Sequence, residues 1–183
     1  MRIDTERLVL REFREADWPA ILAYWSDPRY QRYYPPEANV ERAVRDLVGR
    51  IVAAQAEEPR RTWQLAIVDR QGRLVGNVGV RVNDPVLAEG NIGYELSPEH
   101  WGRGYATEAA RAMLDFGFRE LSLHRVWAEC VAENTGSAHV LEKLGMRQEA
   151  RFREHEWFRD RWWDTLIYAI LDYEWRSFLS GRT

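Results

Sequence analysis

The sequence has one cysteine, Cys130, one lysine, Lys143, and no uninterrupted apolar segment of the roughly 18 residues that a membrane-spanning helix needs. A single cysteine excludes an intrachain disulfide and a multi-cysteine zinc site, and it suits a reducing compartment. The N-terminal stretch MRIDTERLVL meets the charged pair Glu6 and Arg7 before any apolar segment develops, unlike a secretion signal. A cytoplasmic location with no membrane partner is therefore expected. Charge of one sign is not concentrated anywhere: 26 basic and 29 acidic residues are interspersed, for a net charge of −3. No basic stripe points to direct nucleic-acid binding. His100, His124, His139 and His155 never fall at metal-ligand spacing, so no metal is expected.

What is present suffices for one core. A chain of 183 residues, 45% apolar and 30% charged, reads as a single domain over 1–183. Its nine tryptophans read first as packing residues, and Cys130 as a small buried side chain rather than a nucleophile.

Periodicity gives the element order. Leu8 and Leu10 alternate with Arg7 and Arg11, predicting a strand within Glu6 to Phe13. Asp17 is placed to cap a helix through Ile21, Leu22 and Trp25 that Asp27 and Pro28 end, and Tyr30 to Asn39 reads as a loop. Val40, Val44, Leu47, Val48, Ile51 and Val52 mark one face of a second helix. Trp63 to Val68 and Leu74 to Val82 form a predicted hairpin, and Ala88 to Leu96 a further strand. A helix opening near Tyr105 buries Ala106, Ala109, Ala110, Met113, Leu114 and Gly117. A strand over Arg125 to Val131, a short helix ending at Gly145, and a long hairpin of Met146 to Trp157 and Trp162 to Leu171 complete the chain. The class is α+β: one mixed, mostly antiparallel sheet of about seven strands with helices on both faces.

The chemistry concentrates where the strand ending near Leu96 meets Gly102, Gly104 and the helix at Tyr105. Glycines let successive amides face one side, and a helix N-terminus adds free donors and a partial positive charge, which suits a phosphate. Taken alone, the same pattern is an ordinary turn and cap. Thr107 stands where a dinucleotide fingerprint needs its third glycine, and no Gly-Lys-Ser/Thr follows, so nicotinamide dinucleotides and nucleoside triphosphates are disfavoured.

With WGRGYATEA at Trp101 to Ala109, NTGSAHVLEKLGM at Asn134 to Met146 and TERLVLREF from Thr5, the chain resembles the GCN5-related N-acetyltransferases (GNATs). Within them it is similar to the RimJ/RimL ribosomal-protein branch. The resemblance spans nearly the whole sequence, and the two main motifs at this spacing are far more specific together than apart. It implies the GNAT fold with a splayed parallel strand pair, and acetyl-coenzyme A as co-substrate. The diphosphate would rest on Gly102, Arg103, Gly104, Tyr105 and Ala106, with Trp101 and Thr107 flanking and the Arg103 side chain free to assist. Asn134 would bind the pantetheine arm, which would also pair with the strand edge at Tyr94, Glu95 and Leu96. Gly93 fits the divergence of that strand, or is an ordinary strand glycine.

The sequence departs from the wider family twice. Trp101 replaces the usual polar residue opening the phosphate motif, so packing is expected to hold the turn. Leu141 occupies the position of the tyrosine that often protonates the thiolate; Ser137 is the candidate replacement, too weakly acidic to protonate the sulfur and expected to hydrogen-bond it, with a helix-cap role as its alternative. Near pH 7.4 about one lysine amine in a thousand is neutral, against roughly a fifth of α-amines, a difference of about 3 kcal/mol. Glu95 is the candidate base, alternatively a solvent-facing strand residue, and the Leu96 amide the candidate oxyanion donor.

Tyr33, Tyr34 and His155, with Glu156, are candidates to line the acceptor cleft. The expected reaction is direct acetyl transfer to a primary amine in a ternary complex, with a protein N-terminal α-amine as first acceptor. A small amine such as a polyamine, aminoglycoside or amino acid derivative is the alternative within that class, and a non-catalytic acyl-coenzyme A sensor the alternative outside it. The hairpin around Trp157, Trp162 and Trp163 is a candidate homodimer surface, or packs within the chain.

Overall fold

The strand-period stretches become eight strands: β1 (Arg2–Asp4), β2 (Leu8–Glu12), β3 (Thr62–Asp69), β4 (Leu74–Asp84), β5 (Glu89–Leu96), β6 (Arg125–Val131), β7 (Arg147–Phe158) and β8 (Arg161–Leu171). The computed structural model describes residues 1–181 and joins them in one sheet of order β1-β2-β3-β4-β5-β6-β8-β7. The helices are α1 (Trp18–Trp25), α2 (Pro28–Gln31), α3 (Val40–Ala54), α4 (Tyr105–Arg119), α5 (Thr135–Lys143) and α6 (Asp172–Ser180). None of them is long and apolar enough to cross a membrane among the described residues.

Each face of the sheet has its own core. Leu8, Leu10, Leu65, Ile67, Val78 and Val80 pack on Ala109, Ala110, Met113 and Leu114 of α4, with Leu141 of α5 and Trp175 of α6. Ala109 and Ala110 let α4 approach the strands closely, and full burial of Met113 and Leu114 contributes about 1.5–3 kcal/mol each. On the other face Ala66 and Val68 pack on Ile21, Tyr24, Val44, Val48 and Ile51 of α1 and α3.

Four details differ from expectation. The sheet has eight strands because three residues at the N-terminus add β1. Asp17 stands at the N-cap of α1 but makes no side-chain cap bond; its carboxylate takes Arg11 at 2.7 and 2.8 Å and the Arg14 amide at 2.8 Å, closing a 3-10 turn before α1. Pro28 does not only stop a helix: it opens α2, where a proline loses no bond, and Asp27 caps it through the Arg29 amide at 2.8 Å. α6 follows the last strand, its Trp175, Phe178 and Leu179 meeting the core at helical spacing.

The sheet opens in the middle. β5 and β6 pair in parallel only over Glu89 with Arg125, Gly90 with Val126 and Asn91 with Trp127. Beyond Asn91, β5 stays in register with β4 as far as Leu96, while β6 follows β8 along its whole length. Gly93 pairs regularly with Gly79, so the opening comes from the loss of the β6 partner and not from a bulge at Gly93. Close approach of β4 and β5 requires Gly76, where a Cβ would collide with the Glu95 carbonyl oxygen.

Candidate active site

The turn after β5 carries Gly102 at φ +73° and Gly104 at φ +78°, left-handed conformations that side chains with a Cβ disfavour. Gly104 is the N-cap of α4 and brings no side-chain acceptor to the first turn. Among the described residues, no peptide nitrogen from Gly102 to Thr107 donates to a protein acceptor; the first bond of the helix is Glu108 N to Gly104 O at 3.0 Å. The unsatisfied donors lie at the positive end of α4, an arrangement that suits an anion.

They open into a groove of about 430 Å³. Gly102, Gly104, Tyr105, Ala106 and Thr107 form one wall; Gly136, Ser137, His139, Val140 and Lys143 of α5 form the wall opposite. The only lysine of the chain thus lines the same groove, a placement its sequence context did not signal. Arg103 does not line the groove: it is exposed and its carbonyl accepts Arg7 Nη1 at 2.8 Å.

Trp101 corrects the expectation of a turn held by packing. Its indole is substantially exposed, and its N–H donates to the Leu96 carbonyl at 2.8 Å. That bond satisfies a carbonyl which β6, having turned away, does not reach. Antiparallel pairing alternates, and with Ser97 N on Val75 O at 2.8 Å the same parity turns the main-chain groups of Tyr94 and Leu96 toward the opening. The Leu96 N–H and both Tyr94 main-chain groups therefore face the gap between β5 and β6.

Asn134 caps α5, its Oδ1 accepting the Ser137 amide at 3.1 Å, so what it can offer a ligand is its Nδ2 donor. Ser137 is not the cap. Its Oγ lies 3.0 Å from the Tyr94 hydroxyl, which also donates to the Ser137 carbonyl at 2.9 Å. The sequence reading used Tyr94 only for its main chain; the alternation of β5 sends its phenol to α5. Burial pushes that phenol above its ordinary value, with the Ser137 bond opposing, so it remains a protonated donor.

A second cavity of about 370 Å³ occupies the opening itself and meets the groove at Tyr33, Tyr34, Tyr94, Glu95, Asn134 and Ser137. Glu95 is not a solvent-facing strand residue. Its Oε2 accepts Asn77 Nδ2 at 2.8 Å, Trp25 Nε1 at 3.0 Å and the Tyr24 hydroxyl at 3.1 Å, and none of these bonds uses Oε1. Behind it a directed chain runs from Arg81 Nη2 to Gln64 Oε1 at 3.0 Å and from Gln64 Nε2 to Asn77 Oδ1 at 2.6 Å. A guanidinium only donates and a carboxylate only accepts, so the two ends dictate the orientation of both buried amides. Burial first, and the Glu95 charge second, push the phenols of Tyr24 and Tyr30 upward, keeping them protonated around the carboxylate.

Glu129 and Glu156 also line this cavity, against one cation, Arg81. His155 lines neither cavity; its ring and the Glu156 carboxylate both meet Thr165 Oγ1, at 3.0 and 3.3 Å, and of the two only Glu156 lines the second cavity. The hairpin grips the early loop through Arg159 Nη2 on the Gln31 carbonyl at 3.0 Å and Tyr33 edge-on to buried Trp163. Trp163 thereby leaves the candidate dimer surface, while Trp157 and Trp162 stay exposed and pack on each other.

A family profile described as the acetyltransferase (GNAT) domain matches residues 7–147. The chain belongs to the GNAT family. Like this GNAT chain, the uncharacterized N-acetyltransferase YnaD of Bacillus subtilis spans one such length: the two are 36% identical over 177 residues, 96% of this chain and 99% of YnaD. A GNAT-family acetyltransferase structure from Bacillus anthracis superposes with a TM-score of 0.81 at 34% identity, covering 94% of this chain and 99% of that one. The spermidine N(1)-acetyltransferase of Escherichia coli is 31% identical over 154 residues, 84% of this chain and 75% of its own length. GNAT enzymes use acetyl-coenzyme A, and the free amides of residues 102–107 fit the diphosphate of such a co-substrate.

Proposed function

We propose that this GNAT enzyme moves the acetyl group of acetyl-coenzyme A to a primary amine by direct attack in a ternary complex. The supporting observation is the meeting of two cavities, one ending on free peptide nitrogens and the other lined by carboxylates, at Tyr94, Glu95 and Ser137. Cys130, the only thiol, is a poor candidate for an acyl carrier: burial pushes it up to about 11, with the Ser137 bond opposing.

The amides of Gly102 to Thr107 hold the diphosphate, and the edge at Tyr94 and Leu96 with Asn134 Nδ2 orients the pantetheine arm. The Leu96 N–H supports the oxyanion that develops as the amine adds. Glu95 receives the amine proton, directly or through water. The Tyr94 hydroxyl and Ser137 together hydrogen-bond the departing sulfur.

The acceptor is a protein N-terminal α-amine, as in the RimJ/RimL-like branch, because its ordinary pKa leaves a usable neutral fraction without a strong base. A second reading, a small polyamine, is favoured by Glu95, Glu129 and Glu156 outnumbering Arg81 around the second cavity. A panel of N-terminal peptides, polyamines and neutral amines incubated with acetyl-coenzyme A, followed by release of free thiol, tests both. Acetylation of peptides above all others supports the first reading and of polyamines the second. Coenzyme binding without acetylation of any amine would make the chain a sensor.

A further inference from the structure

The N-terminal motif TERLVLREF has so far contributed a strand and no chemistry. Its Arg7 crosses the molecule to the donor turn. Arg7 Nε donates to Glu108 Oε2 at 2.7 Å, its amide to Glu108 Oε1 at 2.8 Å, and Thr5 Oγ1 to the same oxygen at 2.6 Å. Nη1 donates to the Arg103 carbonyl at 2.8 Å, and the guanidinium lies 5.1 Å from the centre of the Tyr105 ring.

In a planar trans peptide the carbonyl and the following N–H point in opposite directions. Arg7 lies outside the groove and Gly104 lines it, so tying down the Arg103 carbonyl turns the Gly104 N–H inward. The glycines on either side of Arg103 are the residues least able to hold that peptide by themselves. Rotated, it would present a carbonyl oxygen to the anion.

We propose that Arg7, clamped by Glu108 and Thr5, is a positioning residue for the donor: it sets the 103–104 peptide so that the Gly104 N–H joins the diphosphate seat. The inference rests on reading residues 102–107 as that seat. Arg7 is not among the residues that line the groove and meets it only at Gly104 and Tyr105, so its effect is expected on a ligand that carries a diphosphate.

The test compares coenzyme A and dephospho-coenzyme A, which lacks only the 3′-phosphate and is expected to respond alike, both titrated calorimetrically, with pantetheine, which lacks the diphosphate and the adenosine, titrated by NMR. Arg7→Met keeps the aliphatic stem and removes the donors. It is expected to weaken coenzyme A by about ten- to a hundredfold, the range for bonds made by a charged group, and to leave pantetheine unchanged. Arg7→Lys recovers part of the loss, since one ammonium reaches the carbonyl or the carboxylate but not both in the same geometry. Glu108→Gln gives the same split at smaller size and carries the test if Arg7→Met does not fold. Equal losses on coenzyme A and pantetheine, or no loss on either, would overturn the positioning role. A wild-type protein that binds coenzyme A no better than pantetheine would instead overturn the diphosphate seat.

Discussion

The groove proposed for the donor and the cavity proposed for the acceptor share Tyr94, Glu95 and Ser137 but are assembled in different ways. The groove comes mainly from two continuous stretches, 94–107 and 134–143, each a short unit of turn and helix. The cavity collects Tyr33, Gln64, Arg81, Asn91, Glu129, Glu156 and Thr165 from positions scattered along most of the chain. A site made by local geometry tolerates variation elsewhere, whereas one made by topology changes whenever a loop or the hairpin changes. Constant donor use with varied acceptors is the expected outcome of that division.

The division can be tested by variants that strike one side only. The largest effect is expected at the junction: Glu95→Gln should lower kcat by about 10²–10⁴-fold with little change in coenzyme affinity, measured by steady-state kinetics beside calorimetry. Equal loss in both would make Glu95 a binding residue. On the donor side, Gly104→Ala forces a Cβ into a left-handed position 3.3 Å from Arg7 Nη2. A cost of about 1–2 kcal/mol should weaken coenzyme A by about five- to thirtyfold and leave the KM for amine unchanged.

Asp17 anchors the acceptor side from a distance, because its turn leads into the helix that carries Tyr24 and Trp25 to Glu95. Burial raises its carboxyl, but the Arg11 guanidinium and the Arg14 amide outweigh burial and hold it below the usual carboxylate range. Its stabilisation is therefore complete above the ordinary unfolded value near 4 and disappears as pH falls through the lowered folded value. Asp17→Asn should cost about 1–2 kcal/mol in urea unfolding at pH 7 and less at pH 3. The smallest effect belongs to Glu156→Gln, which should raise the KM for a polycationic acceptor about two- to fivefold at low salt and leave a neutral amine unaffected.

Legibility followed the same line. β6 was expected over the residues it occupies because its apolar alternation is bounded on both sides, and the donor turn was legible because its glycines, strand end and helix start are adjacent. Asn77, Tyr24 and Trp25, which hold Glu95, and Gln64 behind Asn77 were not legible as a group, since only the packing of α1 on the sheet brings them together. One signal existed: Asn77 interrupts an apolar strand run, and a buried amide there requires a partner. Of His155 and Glu156, both expected at the cleft, only Glu156 lines the cavity. α6 went unread although Trp175, Phe178 and Leu179 recur at helical spacing.

Only three residue pairs stitch β1 to β5 onto the remaining strands, and the rest of that seam is main chain facing a gap. A donor bound as proposed, along the edge at Tyr94 and Leu96, would close the seam with its own amides and so be mortar as well as reactant. Each catalytic round would then loosen and retighten the scaffold that performs it, and an enzyme starved of donor is the form that heat or a protease meets at its weakest.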